Sequence, residues 1–513
     1  MKTQYLFLLL LILTSCVSVK KHNEKHEIAI APEKLRKDVD FAYEKLQKLH
    51  PKLYWYISEE ELDYKFDSLK NSLHKPLKPN DFYRKLAPVI AQIKEAHLRL
   101  VPLDKRLTRK EIKHLEKQKG LLSRYNFMLD GDRIFVKDNA DKIPDMNVGT
   151  EILKIKDIPA KDLLGRYRPF INSDGENQTF QKYILARRWP SYFTAEYGIL
   201  DSVKIETHYQ NEVKTLYLKR EKFTKAEKKK VENANKKITK SEKGKTKDYN
   251  IISKNFNRDL QFPTRDSTVA YMKIKTFSGT FSKKFYKESF AVLKKSPAQY
   301  LILDIRDNLG GSLSEINNLY SYLVPQKFQF IKDIEITSPS AMYQANYFSE
   351  FSLLTKPVAV LVYPFYLAGT ALSIKKNGDR FYLRNNGIFG LKKPKENNFR
   401  GKIYVLINGS SFSAASILPS KLKHEKRAFL VGEETGGAND GTVAGRYSTK
   451  KLPNSKLYLP IGLMLVQPDI DFTYTKKGVI PHKEILPTTQ QVLEKKDIQL
   501  EWIMEDIKNS SSH

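Results

Sequence analysis

From Ser267 onward, short apolar runs alternate with stretches whose apolar residues recur at helical spacing. Strands are expected at 269–274, 301–305, 358–362, 403–407 and 429–431, with helices around 285–293, from Leu313 and from Ser413. Such βα alternation predicts an α/β domain with a mainly parallel sheet and crossover helices. Pro419 should shorten or kink the helix after Ser413. Residues 458–474 alternate as strands that would cover one side of a site, and 497–507 read as a closing amphipathic helix. Upstream the pattern is helical. Ser58 with Glu61 forms a capping box ahead of Leu62, Phe66, Leu69 and Leu73, and Asn80 can cap a helix carrying Phe82, Leu86, Ile90 and Ile93, kinked at Pro88. Between these halves, 120–219 reads as short strands interrupted at 167–197.

Three segments carry candidate chemistry. Asn408 to Ile417 follows the apolar run Ile403–Ile407 and opens a helix, so Ser413 stands where a strand ends and free helix N–H groups begin. A serine there is either an N-cap or a nucleophile beside a ready-made oxyanion site. Tyr300 to Gly311 is a strand entering a loop with paired glycines, followed by Ser312 and Glu315 as a second capping box. No Gly-Lys-Ser/Thr follows, which excludes a phosphate loop. In Glu95-Ala96-His97 a helical pattern gives way to alternation at a histidine, either a C-cap or a base.

Together these segments resemble the serine peptidase family that contains the C-terminal processing peptidases, the tricorn core and the retinoid-binding-protein-like proteins. Ile302 to Gly311 is similar to the family's apolar-Asp-x-Arg-x-Asn-x-Gly-Gly element, and Asn408 to Ala415 to its nucleophile segment. Val431 to Gly437 matches the Gly-Glu-x-Thr-x-Gly element, Gly478 to Pro481 the late Gly-Val-x-Pro element, and Glu95-Ala96-His97 the Asp-Gly-His element of the histidine-using branch. The resemblance implies a ClpP/crotonase-like core. It also implies Ser413 as nucleophile, His97 as base and then acid, and the N–H groups of Gly311 and Ala414 as oxyanion donors. Gly149 to Pro159 resembles the PDZ segment in which a strand presents its edge, and PDZ domains capture peptides by strand addition.

The departures select the branch. Ala438 stands where the lysine-type enzymes carry their Lys, which argues against a Ser-Lys dyad. Ser416 replaces the usual Glu after the nucleophile, Ala96 replaces a serine, Thr475 falls near the position of the tricorn-type acid, and His482 follows Pro481 where an Asp is usual. The group that orients His97 is therefore open, with Glu434, Asp469 and Asp471 the nearest candidates in sequence.

Lys2 and the apolar run Leu6–Leu13 suit a signal peptide core and are too short for a membrane span. Leu13-Thr14-Ser15-Cys16 looks like a bacterial lipobox with Cys16 as the lipidation site. Cys16 is the single cysteine of the 513-residue chain, so no intrachain disulfide forms. The expected organisation is a leader at 1–16, a polar tether at 17–30 and a helical region with His97 at 31–118. A PDZ-like β module at 119–219, a basic insertion at 220–255 and the peptidase core at 256–513 follow. The formal net charge of +31 draws heavily on the Lys-rich insertion. That segment has few large apolar residues and no aromatic stacking ladder, so no nucleic-acid partner is expected and it reads as a solvated insertion. His22 and His26 share a face if helical, but no metal-ligand spacing stands out and the chemistry needs no cofactor. The resulting expectation is a lipid-anchored envelope serine peptidase, either an endopeptidase or a carboxy-terminal processing peptidase, acting on peptides or unstructured protein segments. The competing expectation is an inactive relative that binds envelope peptides or another ligand.

Overall fold

The computed structural model describes residues 18–139, 143–224, 248–250, 255–279, 281–352, 355–384, 390–471 and 475–510. Cys16, the apolar run before it and most of the Lys-rich insertion lie outside those residues.

The described part of the expected tether is docked. Ser18 caps helix α1 (Val19–Glu24), and the Asn23 amide satisfies both backbone groups of Arg106, each at 2.8 Å. The amide offers a donor and an acceptor to one distant residue, which seats this short polar segment. Helices α2 (Pro32–Leu49), α3 (Glu59–Ser72) and α4 (Pro79–Ala91) follow, each presenting an apolar stripe. Ser58 caps α3 as expected, but the start of α4 falls at Lys78 with Pro79 in its first turn. Asn80 instead exchanges two hydrogen bonds of 3.1 Å with the backbone of Leu103, which compete with capping. The stripes of α2–α4 join the same apolar core as the downstream sheet, so this region is continuous with it in packing.

A β module comes next, built from β1 (Tyr125–Asp130), β2 (Arg133–Asn139), β3 (Glu151–Ile155), helices α5 (Ala160–Tyr167) and α6 (Thr179–Tyr197), β4 (Ser202–Tyr209) and β5 (Glu212–Lys219). The strands lie in the order β1-β2-β3-β4-β5 around a core that includes Trp189, Ile152 and Leu163. The interruption at 167–197 is thus largely α6, which closes this core. The module is PDZ-like, yet β3 is paired on both sides, so the edge expected near Gly149–Pro159 is already occupied.

The remainder runs β6 (Arg258–Gln261), β7 (Val269–Ile274), α7 (Ser282–Lys295), β8 (Tyr300–Asp304), α8 (Leu313–Leu323), β9 (Ile334–Ile336), α9 (Lys356–Ser373), β10 (Ile374–Asn377), β11 (Arg380–Leu383) and β12 (Lys402–Ile407). It ends with α10 (Ala414–His424), β13 (Phe429–Gly432), β14 (Thr442–Lys451), β15 (Tyr458–Val466), β16 (Lys483–Glu484) and α11 (Ile498–Ser510). One sheet has the order β16-β13-β12-β8-β7-β6 and is parallel except for β6. Its central strands are apolar on both faces because helices cover both, α11 packing over Ile302, Tyr404 and Val431. A second, antiparallel sheet has the order β10-β11-β9-β15-β14. This mixed α/β arrangement is a ClpP-like core with a PDZ-like module.

Two local expectations change. Residues 358–362 lie in helix α9 rather than in a strand: Ala359 and Thr370 are buried while Tyr363 and Tyr366 join an aromatic cluster with Tyr347. Those packing contacts override the β preference of a valine-rich run. Ser312 precedes α8 without a side-chain cap, because Glu315 is drawn into a buried pair with Arg258 at 2.6 Å and accepts the Tyr286 hydroxyl at 2.8 Å.

Candidate active site

Ser413 sits at the elbow between β12 and α10 with φ 57° and ψ −121°. A non-glycine residue there stores strain of order 1–3 kcal/mol, so its neighbours must hold it. Asn408 accepts the N–H groups of Asp307 at 3.0 Å and Ser410 at 3.1 Å and donates to the Asp307 carboxylate. Ser411 donates its hydroxyl to Ile305 O at 2.9 Å, and the Phe412 N–H reaches Asn308 O at 3.0 Å. The two loops following β8 and β12 are therefore laced together, and the strained turn is fixed by side chains read from the Asn-Gly-Ser-Ser segment.

The paired glycines close against this elbow. A Cβ on Gly310, at φ 92°, would lie 2.8 Å from Ser413 Cβ and 2.7 Å from Phe412 O. One on Gly437 would lie 2.9 Å from Ser413 N. Asn308 accepts the Gly310 N–H at 2.8 Å. The N–H groups of Gly311 and Ala414 donate to no acceptor among the described residues. Below the loop, burial pushes Asp304 up, but Lys273 and Arg306 more than offset it and hold the carboxyl well below its usual range. Arg306 continues to Asp497 and Gln499, tying α11 to the strand that carries the glycines.

His97 is brought to the elbow by the turn after α4, where Lys94 takes a positive φ. Its ring stacks on Phe412, the residue before Ser413, with centroids 4.5 Å apart. Phe412 in turn stacks on Phe180 of α6 and belongs to the β-module core. The Ser413 loop is thus wedged between two cores, one behind Ser413 and one behind Phe412.

The polar partners of His97 are Thr442 and Glu95. His97 Nδ1 lies 2.8 Å from Thr442 Oγ1 and 3.5 Å from Glu95 Oε1, and the Thr442 hydroxyl is 3.3 Å from the same carboxylate oxygen. Glu95, 2% exposed, also accepts the N–H groups of His97 and Val443. A second buried carboxyl, Asp174, 1% exposed, accepts the N–H of Ala96 at 2.7 Å and of Ala438 at 3.1 Å. The loop around it clamps the same segment: Gly175 N–H reaches Lys94 O and Asn172 donates to the carbonyls of Glu95 and Leu98. Burial raises Glu95 to about 7, with its N–H partners opposing. Burial and then the Glu95 charge raise Asp174 to about 8. Burial lowers His97, with the Asp174 charge opposing.

The orienting acids expected from sequence proximity lie elsewhere. Glu434 accepts Gly478 N–H at 2.7 Å and the Asn177 amide at 3.0 Å, bracing the late Gly-Val element. Asp469 lends its carbonyl to Lys421 and Asp471 is exposed. None contacts His97 among the described residues, because Thr442 and Glu95 fill the space around Nδ1. The other substituted positions have structural duties. Ser416 donates to Ser413 O at 2.8 Å, the Thr475 N–H donates to Asp440, and His482 accepts the Leu430 N–H. Thr442 and Asp174 escape sequence reading because they stand 345 and 78 residues from their partners His97 and Ala96. Glu95 did carry a signal, a carboxylate in an apolar turn two residues before the histidine. No cluster of His, Cys, Asp or Glu among the described residues could hold a metal ion.

Residues 268–485 match the model of peptidase family S41. No curated protein sequence matches the chain. Among solved structures, mature CPAF complexed with lactacystin aligns at 16% identity and TM-score 0.62 over 94% of this chain and 98% of that one. A second structure, of mature CPAF, aligns at 16% identity and TM-score 0.59, over 90% of this chain and 94% of that one. At these identities the likeness concerns the fold.

Proposed function

We propose that in this serine peptidase, whose residues 268–485 match the model of peptidase family S41, Ser413 and His97 form the catalytic pair, oriented by Thr442 and Glu95. The observation that carries this reading is the hydrogen-bonded line from His97 Nδ1 through Thr442 to a buried carboxylate, beside a strained serine. With Nδ1–H donating to Thr442 and the Thr442 hydroxyl donating to Glu95, the tautomer is set and Nε2 is left to take the Ser413 proton. Ser413 Oγ then attacks a peptide carbonyl, and the oxyanion is received by the N–H groups of Gly311 and Ala414. Collapse expels the amine with the proton from His97, and water, activated by the same ring, hydrolyses the acyl-enzyme. Glu95 and Asp174 share a proton, leaving one negative charge near the imidazolium when it forms.

The substrates are peptides or unstructured protein segments, cut internally or at a carboxy terminus. The lipobox-like Leu13–Cys16 supports a lipid anchor at Cys16 and a place in a bacterial cell envelope. The test compares protein beginning at Ser18 with its Ser413→Ala and His97→Ala variants on an unfolded polypeptide, reading products by mass spectrometry. Cleavage lost in both variants is expected. Equal cleavage by all three, or none by a folded parent, would overturn the catalytic pair and favour a peptide-binding relative. Palmitate incorporation by the full chain, abolished in Cys16→Ser, is expected for the anchor; equal labelling of the two would refute it.

A further inference from the structure

Helix α9 turns its apolar residues outward. Val358, Leu361, Phe365 and Leu372 follow one another at spacings of three, four and seven, which place them on one face of the helix, and Val362 flanks them. Leu361 is 75%, Phe365 77% and Leu372 78% exposed. The opposite side is the packed one, with Ala359 and Thr370 buried and Tyr363 and Tyr366 in the aromatic cluster. Tyr366 also accepts Arg446 Nη1 at 2.9 Å, which fastens the helix to β14 four residues beyond Thr442. A contiguous exposed apolar face on an otherwise packed helix marks a surface with a partner.

The charge around this face selects the partner. The 18 residues of α9 contain no Asp or Glu, and its one charged residue is Lys356 at the start. Lys356, Lys376 and Arg384 stand exposed near the two ends and make no ion pair among the described residues. No helix among the described residues is long and apolar enough to cross a membrane. A helix with an apolar outer stripe and cations at its ends suits the boundary between headgroups and acyl chains. A second copy of this chain would bring the same cations together, which counts against self-association through this face.

We propose that α9, with the flanking Lys356, Lys376 and Arg384, docks the folded domain on an anionic lipid surface. The helix lies along the bilayer for about 27 Å and buries its stripe to a depth of about 5–10 Å. Because β14 carries both Arg446 and Thr442, docking holds the Thr442 end of that strand close to the lipid.

The test uses protein beginning at Ser18, which contains every element described and has no lipid. It is floated with vesicles of phosphatidylcholine alone and with vesicles that also contain phosphatidylglycerol. Partition at least tenfold stronger onto the anionic vesicles is expected, weakened by salt. A Leu361→Asp/Phe365→Asp variant should lose at least tenfold of it while keeping its circular dichroism and its rate on a soluble peptide. Ser413→Ala should float as the parent does, so failure of the peptidase reading stays separate from failure of this one. The proposal is overturned if the parent floats with neither vesicle, or if the double variant floats unchanged. It is also overturned if the parent sediments as a dimer that the double variant dissolves while neither form binds vesicles.

Discussion

The Ser413 elbow and the His97 pocket solve the same problem, holding one side chain of the proposed catalytic pair still, by different means. At the elbow the restraint is close packing of two backbone loops tied by short polar side chains. Asn408, Ser411 and Asn308 lace two neighbouring loops, and Gly310 and Gly437 allow approaches to Ser413 that no side chain would permit. In the pocket the restraint is long-range and electrostatic: Glu95 and Asp174 gather N–H groups from residues 96, 97, 438 and 443. A backbone cage resists pH but not added volume, whereas a buried carboxylate pair tolerates small changes of shape but answers to protons.

Substitutions break this comparison in a definite order. Ser413→Ala should reduce kcat/KM at least about 1000-fold with the fold intact, checked by peptide hydrolysis beside circular dichroism. Gly310→Ala adds one methyl where Phe412 O and Ser413 Cβ leave no room, at a φ that side chains rarely adopt. Displacing the elbow and the adjoining Gly311 donor should cost about 100-fold in kcat, with loss of stability seen in thermal unfolding. Thr442→Val keeps the volume and removes one hydroxyl from the line between His97 and Glu95. A drop of about tenfold, in kcat and not in KM, is the expected outcome of steady-state kinetics.

Proton-linked effects are smaller, and above pH 5 those of the pocket come from its buried carboxyl pair. Glu95 and Asp174 lie above their ordinary values, at about 7 and about 8, so the folded chain retains protons that the unfolded chain releases. This contribution is complete below their unfolded values near 4 and is lost as pH rises through 7 and 8. The melting temperature should therefore fall across that interval. Asp174→Asn should flatten the fall, while a slope equal to the parent's would remove the pair from the account. The lowered His97 predicts that the acid limb of kcat/KM lies below pH 6.5.

The elbow was legible in the chain because the turn and the loop that faces it are each written within a dozen residues of Ser413 or Gly310; Gly437 and Phe180, which also press on it, come from farther along the chain. Apolar strand, paired Asn and Gly, and helix onset are local patterns. The core strands at 269–274, 301–305 and 403–407 were legible for the same reason. The run 358–362 was not, since β-branched residues outside a core obey whichever face of their element finds packing, and here Tyr363 and Tyr366 found it. Asn80 and Glu315 left their expected caps for partners 23 and 57 residues away. The partners of His97 were hidden in a related way: Glu434, Asp469 and Asp471 are near the late motifs in sequence, but Thr442 and Asp174 are near His97 in space.

The order of apolar runs, the two Gly-containing loops and the serine at a strand end determined by themselves a parallel α/β core and where its strained elbow falls, because backbone geometry is dictated by neighbouring residues. Which groups face His97, that the β module braces Phe412, and that α9 shows its apolar side outward were decided only by tertiary structure. Desolvation and hydrogen bonding of a buried group depend on whatever the fold places within a few ångströms of it, and chain separation carries no record of that distance.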